Sequence, residues 1–110
     1  MRLAWFTPFA AESAIGRFSQ AVTAELSKHA EVHVWVSSRE NLLATSLPVI
    51  DYNPDLPLGQ WWPRGFYDFV ICNLGDHLGF HQRIFEFSLK VPSVLILHDF
   101  VMHHFFAGYY

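Results

Sequence analysis

The sequence has few charged residues and little surplus of either sign. Charged side chains make up 15% of the 110 residues, and the formal net charge is −3. Hydrophobic residues reach 52%, which excludes an intrinsically disordered chain, because disorder requires low hydrophobicity and high net charge. Proteins that bind nucleic-acid backbones usually carry a net positive charge. We therefore expect no nucleic-acid partner.

Cysteine and long apolar runs are scarce as well. Cys72 is the single cysteine, so no internal disulfide can form, as is typical of a reducing compartment. No apolar run reaches the ~18 to 20 residues that cross a bilayer. The apolar start of the chain is broken by Thr7-Pro8, which does not fit a signal peptide. These features predict a cytoplasmic protein, and the length allows one domain.

The sequence does contain short apolar runs that alternate with segments of helical periodicity. The apolar runs predict five strands, at residues 3–6, 31–36, 49–52, 69–72 and 94–97. Apolar residues at helical spacing predict helices at residues 13–30, 39–44, 81–90 and 101–110, the last unusually aromatic. Proline and glycine mark residues 53–65 as a loop. This order predicts an α/β fold: a Rossmann-like parallel sheet of about five strands with helices on both faces.

Polar residues follow the predicted strands at the place where a doubly wound fold binds its ligands. Asn73, Asp76 and His77 follow the fourth run, and His98 and Asp99 follow the fifth. Ligands of open α/β sheets lie outside the carboxyl ends of the strands, so these residues indicate a ligand-binding edge. The same pattern would arise simply because strands end where polar residues begin.

The first predicted loop leads into a helix N-terminus, where free N–H groups and the helix dipole favour phosphate. Gly16 near the start of that helix would allow a phosphate to approach. The sequence has no G-x-G-x-x-G motif and no Walker lysine. The alternative is that Gly16 only lets the helix pack closely against the sheet.

The histidines admit a weaker hypothesis, a zinc-dependent hydrolase. His77 and His81 are four residues apart, and His98 lies close in sequence to Asp99 and His103. Their spacing matches no known metal signature, so we expect no bound metal. Cys72 lies within a predicted strand, where a small buried hydrophobe is the expected role.

Trp61-Trp62-Pro63 is a conspicuous aromatic group within the predicted loop. Trp is favoured at membrane interfaces, but only Arg64 supplies a positive charge nearby. Packing of the two indoles against the sheet is therefore the preferred interpretation.

Five segments together resemble the N-terminal half of the GT-B glycosyltransferases of family 4, and the resemblance covers nearly the whole chain. They are MRLAWFTPF at 1–9, SAIGRFSQAVTAELSKH at 13–29, EVHVWV at 31–36, YDFVICNLGDHLGFH at 67–81 and VPSVLILHDFVMHHFF at 91–106. The second departs from the family pattern in having Ala14 where a glycine is common. The resemblance implies one of two Rossmann-like domains that face each other across a cleft. It implies retaining transfer of a sugar from a nucleotide-sugar, with no metal or other cofactor.

The resemblance also implies roles for individual residues. His98 would contact the transferred sugar as the catalytic residue, and Gly16 would lie near the donor diphosphate. The acceptor, a glycan or a lipid-linked sugar, would be faced by Asn73, Asp76, His77, Asp99 and His103. Peripheral contact of the parent enzyme with a membrane is compatible with this picture.

By the same resemblance, residues 1–110 are a partial N-terminal domain without its nucleotide-sugar-binding partner, and they would be inactive alone. The alternative is a stand-alone Rossmann-like binding or assembly module that forms a dimer through its aromatic C-terminal helix. In both cases uncovered aromatic and edge-strand surfaces predict self-association of the chain.

Overall fold

Every strand of the sheet runs in the same direction. The computed structural model describes residues 1–75 and 78–98, with the side chains of 78–81 excepted. The elements are β1 (Arg2–Phe6), α1 (Ala14–Leu26), β2 (Glu31–Val36), β3 (Val49–Asp51), a 3₁₀ turn (Leu58–Gln60), β4 (Phe69–Leu74), α2 (Leu78–Ser88) and β5 (Val94–Leu97). The strands form one sheet in the order β3-β2-β1-β4-β5, all parallel. This confirms the predicted Rossmann-like α/β fold.

The central strand β1 is buried on both of its faces. Leu3, Ala4, Trp5 and Phe6 are at most 6% exposed, which explains why β1 is a continuous apolar run rather than an alternating one. Leu3 pairs with β2 on one side and with β4 on the other. No helix in the described residues is long and apolar enough to cross a membrane.

Helix α1 covers one face of the sheet through a line of small residues. Ser13 caps the helix by accepting a hydrogen bond from the Gly16 N–H (3.0 Å). The buried positions are Gly16, Ser19 and Thr23. The Ser19 hydroxyl accepts from Trp5 Nε1 (3.0 Å), so the small polar line also satisfies a buried indole.

The helical spacing of Ile15, Phe18, Val22 and Leu26 predicts one apolar face for this helix, and this prediction is only partly correct. Val22 and Leu26 pack against the cluster around Leu3 and Trp5. Phe18, expected in the core, is 40% exposed. Close approach of helix and sheet needs small side chains at the contact, and this turns the larger ones towards the margins.

Aromatic rings cover the opposite face of the sheet, together with α2. We call the following set the aromatic cluster: Phe6, Trp35, Tyr52, Trp61, Trp62, Tyr67 and Phe87. Trp61 stacks on Tyr52 (ring centroids 4.9 Å) and Trp62 stacks on Tyr67 (5.4 Å). The loop after β3 thus folds back onto the sheet, as the packing interpretation of the two tryptophans predicts.

The helix predicted at 39–44 is wrong. This segment forms a turn with Asn41 at φ 53° and then pairs with the loop after β1. The Ala11 N–H donates to the Asn41 carbonyl (2.9 Å), and the Leu43 N–H donates to the Phe9 carbonyl (2.9 Å). Leu42 and Leu43 pack against buried Phe9, so tertiary contacts override the local helical pattern.

The remaining differences concern element ends. Helix α2 begins at Leu78 rather than 81, and β4 extends to Leu74 rather than 72. The helix predicted at 101–110 lies outside the described residues.

Candidate functional site

The chain order of the sheet reverses between β1 and β4. Strands β2 and β3 lie on one side of β1, and β4 and β5 lie on the other. Connections leave β1 and β4 in opposite directions, so a crevice opens at their carboxyl ends, where ligands of this fold class bind. We call this place the switch-point crevice. A cleft of about 110 Å³ opens next to it, between Thr7 after β1 and Ser37 after β2.

A fully buried amide joins the two strands at the crevice. Asn73 is 0% exposed, and its Nδ2 donates to the Phe6 carbonyl at 2.9 Å. Since a carbonyl only accepts, the amide nitrogen must face Phe6 and Oδ1 must face the other way. There Oδ1 lies 2.9 Å from His98 Nε2. The amide oxygen accepts, so Nε2 carries the proton of the imidazole.

His98 is held from three directions. Its backbone N–H donates to the Leu74 carbonyl (2.9 Å), which places it directly beyond the β5 ladder. Its ring is bonded to Asn73 and meets the Phe18 ring edge-on, with centroids 4.7 Å apart. Orientation and tautomer are therefore both fixed by neighbours, as a positioned functional imidazole requires.

No protein-family model, curated protein or solved structure matches this chain. A functional assignment must therefore be argued from the geometry of the crevice and from the sequence resemblance.

Gly16 is explained by close packing. An added Cβ would lie 2.9 Å from the carbonyl oxygens of both Pro8 and Ala10. Its N–H is donated to the capping Ser13 hydroxyl. The glycine thus allows α1 to approach the preceding loop, which favours the packing alternative. Its place near a donor diphosphate stays a prediction.

The structure brings Asn73 and His98 together, with Phe18 of α1 against the imidazole. Phe18 was missed as a site residue, because its helical spacing indicated a core position. The predicted contacts Asp76, His77, Asp99 and His103 lie outside the described residues. Among the described side chains, those of residues 1–75 and 82–98, no three His, Cys, Asp or Glu are grouped so that they could hold a metal ion.

Cys72 has no nucleophilic character at neutral pH. The side chain is 0% exposed and unpaired with any other cysteine. Burial raises the pKa of the thiol from 9.0 to about 11, with Ser93 acting in the opposite direction. Because the thiolate is the reactive form, Cys72 serves as a small core residue.

Tyr52 carries a buried hydroxyl that makes no hydrogen bond to the residues the structure describes. Burial raises the pKa of the phenol well above its usual range, and Cys72 adds to this, while Ser37 and Arg83 act in the opposite direction. Ser37 thus lies near the hydroxyl without a hydrogen bond of ordinary geometry. An unsatisfied buried group costs about 1–3 kcal/mol of stability. Nothing in the sequence pattern marks this position.

Proposed function

We propose that this chain is the acceptor-side, N-terminal part of a cytoplasmic retaining glycosyltransferase of the GT-B family 4 type. The enzyme transfers a sugar from a nucleotide-sugar to a glycan or lipid-linked acceptor. The observation that carries the proposal is the fixed His98 imidazole at the switch-point crevice, braced by buried Asn73. The five sequence segments described above support the family.

In this mechanism His98 is the catalytic residue. Because Nε2 donates its proton to Asn73, the fixed imidazole acts towards a hydroxyl of the transferred sugar as a hydrogen-bond acceptor. Asn73, which the resemblance places at the acceptor, is fully buried and is therefore a positioning residue in this proposal. It acts through His98, because its amide reaches the imidazole and the β1 backbone. The acceptor contacts in this proposal are Asp76, His77, Asp99 and His103.

The donor and its nucleotide require a second domain across the cleft. In the proposal the start of α1, near Gly16, faces the donor diphosphate, and no metal or other cofactor takes part. Holding donor and acceptor in line accounts for ~7 to 11 kcal/mol of the barrier in such reactions. Residues 1–110 alone are therefore inactive and provide the blank for the following assay.

The test is sugar transfer by a protein that carries this chain joined to its nucleotide-sugar domain. His98→Ala should lower kcat by ~10²-fold or more, the scale of loss when one positioned hydrogen-bonding group of a transition state is removed. His29→Ala is the matched control, since His29 is exposed just beyond α1. Near-normal turnover by a folded His98→Ala variant, or clear sugar transfer by residues 1–110 alone, would contradict this proposal.

A second candidate function, a stand-alone assembly module, is favoured by one observation. Strand β5 lies at a sheet edge, and Val94, Leu95 and Leu97 are 46–58% exposed. Such an edge pairs readily with another chain. A stable dimer without any transferase activity in the longer protein would select this candidate.

A further inference from the structure

A groove runs between α2 and the loop that follows β3. Two depressions, of about 400 and 360 Å³, share Pro54, Asp55 and Arg83 and so form one continuous surface. The first lies at the carboxyl ends of β2 and β3, beside Ser37. The second continues along α2 over Trp61. We call this surface the α2 groove.

An exposed ion pair lies where the two depressions meet. Arg83 Nη1 is 2.9 Å from Asp55 Oδ1 and 3.7 Å from Glu86 Oε1. Nε and Nη2 of Arg83 make no hydrogen bond to the described part of the chain. A guanidinium presents five N–H donors in a fixed plane, so Arg83 is oriented by two carboxylates and retains donors for a ligand.

The charges along the α2 groove balance. Arg83 and Lys90 are matched by Asp55 and Glu86, so the surface offers no net attraction to a phosphate or to a polycation. Directional donors and acceptors without net charge suit a neutral ligand with many hydroxyl groups.

Apolar surface accompanies these polar groups. Trp61 lines the second depression together with Leu56 and Leu89, which are 45% and 65% exposed. A flat ring beside polar side chains suits a sugar, whose C–H face is apolar and whose edge carries hydroxyls. Ligand sites commonly combine apolar walls with a few placed polar groups in this way.

Tyr52 forms part of the wall of the first depression, together with Ser37 and Arg83. The side chain is 5% exposed, and its hydroxyl makes no hydrogen bond to the described part of the chain. Because this hydroxyl is shielded from solvent, ligand binding in the groove depends on Arg83, Asp55 and Trp61 instead.

We propose that the α2 groove binds a neutral saccharide. Arg83 and Asp55 bond neighbouring hydroxyls, and Trp61 packs against the apolar face of the ring. As an acceptor-holding site it rests on the proposed function, but binding itself is measured without any transfer reaction. Loss of saccharide binding and loss of transferase activity are therefore distinguishable failures.

The test uses the 110-residue chain with three neutral trisaccharides as probes: maltotriose, cellotriose and N,N′,N″-triacetylchitotriose. Tryptophan fluorescence follows binding, and backbone amide shifts locate the site. We expect saturable millimolar binding of at least one probe, with shifts grouped at Asp55, Arg83 and Glu86. Arg83→Gln should weaken that binding at least tenfold, because it removes the charged donor that bonds a hydroxyl of the saccharide.

Arg39→Gln is the matched control. Arg39 pairs with Asp51 at 2.7 Å, and its side chain is 51% exposed against 45% for Arg83. This pair lies at β3, outside the groove, so saccharide binding should change less than twofold. The proposal is overturned if no trisaccharide binds, if the shifts fall elsewhere, or if Arg83→Gln binds like the parent chain. Tighter binding of inorganic phosphate than of every trisaccharide would also overturn it.

Discussion

Replacing Gly16 with alanine tests the close approach of α1 to the loop that precedes it. The added Cβ would lie 2.9 Å from two carbonyl oxygens, those of Pro8 and Ala10, and 3.1 Å from the Ala10 nitrogen. Contacts of 3.4–4 Å are ordinary for a Cβ. All three neighbours are backbone atoms, so no rotation of a side chain can relieve the clash.

Two opposing effects set the size of the change. Alanine is favoured over glycine within a helix by about 1 kcal/mol. Overpacking of a close contact costs about 1–3 kcal/mol, and here the helix must also move away from the sheet to which Ser19 is bonded. We expect Gly16→Ala to lower the free energy of unfolding by about 1–2 kcal/mol, because the clash exceeds the gain in helix propensity.

Urea denaturation followed by circular dichroism measures this difference directly. Gly59→Ala is the control, because a Cβ at Gly59 would meet nothing within 4 Å. Its free energy of unfolding should stay within about 0.5 kcal/mol of the parent value. If Gly16→Ala proves as stable as the parent chain or more stable, α1 does not approach the loop as described, and the packing explanation for Gly16 is wrong.

Two further predictions concern the core and the sheet edge. Burial raises the pKa of Cys72 from 9.0 to about 11. The unfolded thiol therefore loses its proton at a lower pH than the folded one. The free energy of unfolding should fall by about 2–3 kcal/mol as the pH rises from below 9 to 11. Urea unfolding across this range should show a shallower decline in Cys72→Ala, and an equal slope would contradict the assignment. The isolated chain should self-associate through β5, and Leu97→Lys should shift it towards monomer in light scattering. A monodisperse parent monomer at high concentration would refute this.

Most of the strand pattern could be predicted from apolar runs in the sequence. Strand β1 is such a run because it is buried on both faces, and its bounds match the prediction closely. Strand β5 is equally apolar and its bounds also match, although Val94, Leu95 and Leu97 are exposed. Parallel pairing and the two covered faces follow from such runs alternating with helices. His98 at the end of β5 could be predicted from its place after the strand.

The features that escaped prediction depend on contacts between distant residues. The segment 39–44 has a helical pattern, but pairing with the loop after β1 decides its conformation. The Asn73 amide points to Phe6 and His98, neither of them its neighbour in sequence. The Arg83–Asp55 pair joins a helix to a loop 28 residues away. No local pattern in the sequence predicts which distant residues will be in contact.

The central position of β1 has a consequence for synthesis on the ribosome. Its β2 partner follows within about 30 residues, but β4 begins more than 60 residues after β1 ends. At ~5–20 residues per second, the nascent chain would carry the β4-facing side of β1 unpaired for ~3 to 12 seconds. During that interval a strand of Leu, Ala, Trp and Phe offers an open hydrogen-bonding edge. We therefore expect the nascent chain to bind chaperones that shield apolar segments. Slower translation before β4 would lengthen the time during which the chain can aggregate.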